Sequence, residues 1–143
     1  MANLAINGGP KLRAKPFPAW PRPNKRMLEE VTKVLDSCKW GIGSPAIAEF
    51  EKKFAELHHA KHALMVANGT VSLWVALKAC GLKAGDEVII PPYTFMATAT
   101  AVVMANGKPV FVDVDPETFN IDPTKIEAAI TPRTKVIIPV HIG

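Results

Sequence analysis

The chain has 143 residues, of which 48% are hydrophobic and 21% charged, about the mixture of an ordinary folded domain. That balance excludes a disordered chain, whose apolar content could not offset the entropy of ordering, and no apolar run approaches the roughly 18–20 residues of a membrane span. The net charge of +4 is uneven, with 11 of 17 Lys and Arg but only 6 of 13 Asp and Glu in residues 1–62; the cations are scattered among prolines and acids, which argues against a nucleic-acid surface.

In chain order, residues 1–9 carry neither a basic start nor an apolar core of a leader, so a cytoplasmic address is expected. Residues 1–23 hold Pro10, Pro16, Pro18, Pro21 and Pro23 around Phe17 and Trp20. Proline at this density forbids helix and implies an extended arm whose aromatics pack on the body or on a second subunit. A second segment, 24–62, reads as two helices. Asn24 is a candidate N-cap, and Met27, Leu28, Val31, Val34, Leu35 and Cys38 recur at helical spacing up to about Lys39. Ser44-Pro45 opens the next helix, with Ile47, Phe50, Phe54 and Leu57 on one face.

From residue 63 to 143 strands and helices alternate. Strands are expected at Ala63–Ala67, Glu87–Ile90, Pro109–Val114 and Lys135–Val140, starting roughly 24 residues apart. Helices are expected from Thr70 to Cys80, Phe95 to Ala105, and Asp122 to Ile130. Short apolar strands with helical crossovers imply a mainly parallel α/β sheet of about four strands. The chain stops just after a strand, at His141-Ile142-Gly143, so the pattern reads as the front part of something longer. Cys38 and Cys80 sit at apolar helical positions and read as buried thiols of a reducing compartment, with no disulfide.

Two stretches carry chemistry. Asn68-Gly69-Thr70-Val71-Ser72 stands between a strand and a helix. Helix N-terminal amides beside a glycine and hydroxyls suit a phosphate; the same residues also suit a plain Asn cap. Pro91-Pro92-Tyr93-Thr94-Phe95 leaves a strand's carboxyl end, where open α/β sheets bind ligands. Phe95 could stack on a flat ring there, or pack in the core. His58 and His62 are four apart but lack a third ligand, so no metal is expected. The acids of Asp113-Val114-Asp115-Pro116-Glu117 read as turn capping rather than a cation site. His141, near the same sheet edge, is a further candidate.

Taken together, Asn68-Gly69-Thr70, Gly85-Asp86-Glu87-Val88-Ile89-Ile90-Pro91-Pro92, Tyr93-Thr94-Phe95, Gly107–Val114, Ile126–Thr131 and Pro139-Val140-His141 resemble the DegT/DnrJ/EryC1/StrS sugar aminotransferases. Trp40-Gly41 and Phe50-Glu51-x-x-Phe54-Ala55 add to the likeness, which covers about residues 24–143. Leu4–Trp20 is similar to the branch acting on keto-inositols in aminocyclitol pathways. The resemblance implies the front part of a fold-type-I pyridoxal-phosphate transferase domain and a cytoplasmic homodimer. The implied reaction moves an amino group from an amino acid onto a keto sugar, often nucleotide-linked, or a keto cyclitol. Pyridoxal 5'-phosphate is the implied cofactor, with Gly69 and Thr70 at its phosphate and Phe95 on its ring. The Schiff-base lysine and the Asp facing the pyridine nitrogen match nothing here and are expected beyond Gly143. No catalytic residue is therefore assigned, and these 143 residues alone are expected to be inactive. A dehydratase with His for that Lys, or an inactive truncated product, is the alternative.

Overall fold

The computed structural model describes residues 3–142. They fall into two compact units divided between Ala63 and Leu64.

In the first unit, residues 3–24 hold one regular element, a 3-10 turn at Ala5–Asn7. The prolines keep the rest out of helix, and Phe17 and Trp20 are exposed, with the Arg13 guanidinium 4.4 Å from the Phe17 ring centre. Helix α1 spans Lys25–Ser37. The Asn24 carboxamide oxygen accepts from the Met27 N–H at 3.0 Å, satisfying one orphan donor of the first turn. The helix stops at Cys38, whose left-handed backbone (φ 52) turns its N–H onto the Leu35 carbonyl. The Trp40 indole N–H reaches back to the Val34 carbonyl at 2.9 Å. Helix α2 spans Pro45–Leu57, with Pro45 in the first turn, where the missing N–H costs nothing. Ser44 precedes it, but its hydroxyl makes no cap bond; its carbonyl accepts from Ile47 and Ala48 instead. Phe50 and Phe54 stack at 5.5 Å, and among the described residues of this unit Ala55 is the one buried hydrophobic.

The second unit is built on a parallel sheet. Strand β1 (Glu87–Ile90) lies between β2 (Lys108–Phe111) and β3 (Thr134–Ile137), in the order β2-β1-β3. Both neighbours run parallel to β1, so the connections must be crossovers. Helix α4 (Ala97–Met104) links β1 to β2, and α5 (Pro123–Ala129) links β2 to β3 across the far side of β1. Val88, Ile89 and Ile90 are each 0% exposed, which is why β1 reads as an unbroken apolar run rather than an alternating one. Helix α3 (Gly69–Ala79) packs on α4. Leu77, Leu82, Val88, Ile90, Ala101, Val102 and Ala105 form the core, with Trp74 of α3 half-buried against it.

The turn after α4 is tight. Asn106 takes φ 63, and the Gly107 N–H donates to the Val102 carbonyl at 2.9 Å. A Cβ at Gly107 would meet Leu82 Cδ2 at 2.8 Å and Val102 Cγ1 at 3.1 Å, so only glycine lets the chain pass the core here.

Three expectations are corrected. Ala63–Ala67 is not a strand: no strand pairing among the described residues includes it, and Leu64 is 74% exposed. An apolar run becomes a strand only where a neighbour supplies its hydrogen bonds, and the sheet has three strands rather than about four. Cys38 and Cys80 are exposed, because each sits at a C-cap, where the chain leaves the packed stripe of its helix. The helix expected from Phe95 opens at Ala97, leaving Phe95 in the loop before it.

Candidate functional site

Gly69 and Thr70 are the first two residues of α3. The Asn68 side chain accepts from the Val71 N–H at 3.0 Å, so the cap read from the sequence is present. That bond uses the third amide of the helix and leaves the first two at the end where the helix dipole favours an anion. Gly69 does not have the positive φ that would demand glycine, and a Cβ there would meet nothing within 4 Å. Neither backbone strain nor this chain's own packing explains the glycine. The open amides and the free space beside Gly69 are compatible with a phosphate. Ser72 differs from the sequence reading: its hydroxyl donates to the Gly69 carbonyl at 2.6 Å and its proton is turned away from any ligand.

Phe95 lies past the carboxyl end of β1, two residues before α4. The turn that presents it is braced from below. The Thr98 N–H donates to the Phe95 carbonyl at 3.0 Å, and the hydroxyls of Thr94 and buried Thr98 share a 2.8 Å bond. Phe95 is 75% exposed, so it packs into no core formed by the described residues. The three candidate residues thus stand in one compact unit, at the starts of two helices that pack together. An anion-ready backbone and an outward aromatic face are the complements of a phosphorylated flat ring.

His141 lies four residues beyond β3 and is exposed. Its neighbour Ile142 donates its N–H to Asn120 Oδ1 at 3.3 Å. Sequence reasoning missed Asn120, and with it a ring contact at 5.8 Å between Tyr93 and Phe119; no local periodicity signals a contact between residues so far apart in the chain.

The acidic stretch behaves as turn chemistry. Asp115 Oδ1 accepts from the N–H groups of Glu117 and Thr118 and from the Thr118 hydroxyl, and the bonds from Thr118 hold its carboxyl below the usual range. Asp122 caps α5 through the Thr124 N–H and hydroxyl, and that hydroxyl lowers its carboxyl too. No group of three or more His, Cys, Asp or Glu suited to a metal occurs among the described residues. α2 ends at Leu57, so His58 and His62 lie past it and share no helix face.

The strongest charge cluster stands at the opposite end of β1. Glu87, 2% exposed, accepts from the Thr131 hydroxyl at 2.6 Å and from Arg133 Nη2 at 2.9 Å, with Lys108 Nζ at 3.5 Å. The Thr131 hydroxyl first, then Arg133, bring its carboxyl down to about 2. Parallel strands put this cluster at the amino ends, away from Phe95, so it is structural.

Comparison with known proteins adds to this geometry. The family model of the DegT/DnrJ/EryC1/StrS aminotransferase family matches residues 21–143. The L-glutamine:2-deoxy-scyllo-inosose aminotransferase of Streptomyces kanamyceticus is 44% identical, over 99% of this chain and 34% of its own length. Among solved structures, 3-amino-5-hydroxybenzoic acid (AHBA) synthase superposes with a TM-score of 0.86 at 42% identity, over 91% of this chain and 34% of that one. The ntda protein from Bacillus subtilis with bound cofactor PMP gives a TM-score of 0.77 at 44% identity, over 81% and 26%. The chain spans about a third of the length of the curated relatives it matches.

Proposed function

Since this chain belongs to the DegT/DnrJ/EryC1/StrS aminotransferase family, we propose that it is the front part of a pyridoxal-phosphate-dependent aminotransferase that acts on a keto cyclitol. Its α/β fold is that of the fold-type-I transferases. The observation that carries the reading is the open N-terminus of α3, where Gly69 has no neighbour to account for it. Gly69 and Thr70 would hold the cofactor phosphate through their backbone amides, and Phe95 would cover one face of the ring. When bound, the cofactor supplies an electron sink for amino transfer. The part of this chain is to bind and orient it: the phosphate anchors one end, and the aromatic face fixes the plane.

The keto-cyclitol substrate and glutamine as donor are drawn from the relatives' names, and a keto sugar is the wider class. A homodimer and a cytoplasmic location complete the proposal. No helix among the described residues is long and apolar enough to cross a membrane. In this reading residues 1–143 are inactive alone. Of the second unit's five lysines, Lys78 and Lys108 are tied up at the far end of the core and of the sheet, Lys125 is paired with Asp113 and Asp122, and Lys83 and Lys135 are exposed.

The test is pyridoxal-phosphate titration of the intact protein and of its Gly69→Val variant, followed by assay with glutamine and a keto-inositol. Cofactor-dependent formation of the amino-inositol, with affinity lost in Gly69→Val and the fold kept, is expected. Unchanged affinity in that variant overturns the phosphate assignment; no amine product from any keto cyclitol or keto sugar overturns the function.

A further inference from the structure

The sheet order places β2 and β3 on opposite sides of β1, about 10 Å apart at the usual strand spacing. Yet the loop that leaves β2 touches the segments that follow both other strands, three residues past β1 and five past β3. Its Phe119 ring meets the ring of Tyr93, in the loop after β1, at 5.8 Å. Its Asn120 Oδ1 accepts the N–H of Ile142, beyond β3, at 3.3 Å. The loop therefore crosses the carboxyl edge of the sheet from one side to the other.

It is also stiff. Val114 and Ile121 form an antiparallel bridge, and the Asp122 N–H donates to the Asp113 carbonyl at 2.9 Å. Inside that neck, the Asp115 N–H donates to the Asn120 carbonyl at 2.9 Å and the Phe119 N–H to the Asp115 carbonyl at 2.8 Å. The Asp115 carboxylate takes three further donors, from Glu117 and Thr118. Asn120 Nδ2 donates to the Thr118 carbonyl at 3.2 Å, so its amide is oriented with the oxygen toward Ile142. Phe119 is held at φ 59, a conformation a large side chain adopts only when its surroundings impose it.

We propose that residues 113–122 are a rigid strap across the carboxyl end of the sheet, with Phe119 and Asn120 as positioning residues that fix Tyr93 and the His141-bearing segment in one arrangement. Tyr93 is two residues before Phe95, and His141 immediately precedes Ile142. The strap thus sets two borders of the candidate site from one element, through residues that themselves need touch neither cofactor nor substrate. What it serves rests on the proposed aminotransferase function; the coupling itself does not.

The distinguishing property is that a change at one contact is felt at the other. Tyr93 is the single tyrosine of these 143 residues, and among the labelled tyrosines of the intact protein its ring signal is the one lost in Tyr93→Phe. Asn120→Ala should shift the Tyr93 ring signal, although Asn120 does not contact it. Phe119→Ala should speed hydrogen exchange at the Ile142 amide. Asn120→Asp keeps the acceptor oxygen for Ile142 but gives up the Nδ2 donor to the Thr118 carbonyl, so its Tyr93 shift should fall between those of the native protein and Asn120→Ala. Exchange protection of Val88–Ile90 reports that the sheet is intact. Should Asn120→Ala lose that protection, Thr118→Val is read in its place: it removes a brace of Asp115 and leaves the Asn120 side chain, and the same joint response is required. Responses confined to the mutated contact overturn the strap. With glutamine and ketone, Asn120→Ala should raise KM for the ketone severalfold more than it lowers kcat. Coupling without any transamination leaves the strap standing and removes the function; transamination without coupling does the reverse.

Discussion

Phe95 is exposed to solvent over three-quarters of its surface, and that decides what its removal should do. A core phenylalanine cut to alanine costs about 3–5 kcal/mol of folding stability. Phe95 has no such packing among the described residues, so Phe95→Ala should leave the melting temperature nearly unchanged. If the ring covers the cofactor, the loss of stacking, about 1.4 kcal/mol at the upper end for an aromatic pair, is roughly a tenfold drop in pyridoxal-phosphate affinity. Phe95→Tyr should keep that affinity. Melting and titration of the same variants read both quantities; a large stability loss with unchanged affinity would mean that the ring is a packing residue. The neighbouring hydroxyls show why residue identity alone misleads. Ser72 looked like a second donor toward an anion, but a hydroxyl on a helix finds the carbonyl three residues back, and its proton goes to Gly69.

Among the elements, the sheet carries its own acid sensitivity. Glu87 joins β1 to Thr131 and Arg133 just ahead of β3, and to Lys108 at the start of β2. Its carboxyl titrates at about 2 in the folded chain against an ordinary 4.5. A depressed folded value means that the contribution is fully present above the ordinary value and is lost as pH falls from there through the folded value. Thermal stability should therefore decline as the medium is acidified across that window, and Glu87→Gln should flatten this part of the profile while lowering stability at neutral pH. Melting curves from neutral pH to the acid limit check it. The elements themselves were legible to different degrees. Asn24, Asn68 and Asp122 were readable as caps because a short polar side chain three or two residues ahead of an orphan amide has one obvious partner. Glu87–Ile90 was readable because four buried residues in a row leave no polar alternation. Ala63–Ala67 misled for the same reason: its apolar composition says nothing about whether another strand lies beside it. The contact of Tyr93 with Phe119 was invisible, since it depends on β3 and β2 flanking β1, and strand order has no local signature.

At the scale of the whole molecule the two units are unequal. Among the described residues, every buried hydrophobic one except Ala55 belongs to the second unit. In the stripe that marks α1, Met27, Leu28, Val31, Leu35 and Cys38 are exposed and Val34 alone is partly buried. A helix without a buried face draws little support from packing, and short helices in water are marginal by themselves. Local opening should then be far easier in residues 3–63 than in 64–142. Limited proteolysis of the 143-residue chain should cut the first unit early and leave the second as a persisting fragment; equal rates in both would show that α1 and α2 are held by something other than their own burial.

The turn that closes α4 bears on how the protein ages. An Asn-Gly pair is the most labile sequence toward spontaneous deamidation, because the glycine nitrogen can attack the asparagine side chain and expel ammonia. At Asn106-Gly107 that nitrogen is committed through its hydrogen to the Val102 carbonyl, and the backbone on either side is pinned, by φ 63 at Asn106 and by Leu82 and Val102 against Gly107. The nitrogen cannot swing onto the amide carbon without opening the end of the core helix. Stored folded, the protein should keep Asn106 intact far longer than the same sequence in a short peptide, a difference that peptide mapping by mass after weeks at neutral pH would reveal. The tightness that admits no methyl group thus doubles as protection against a clock written into the sequence.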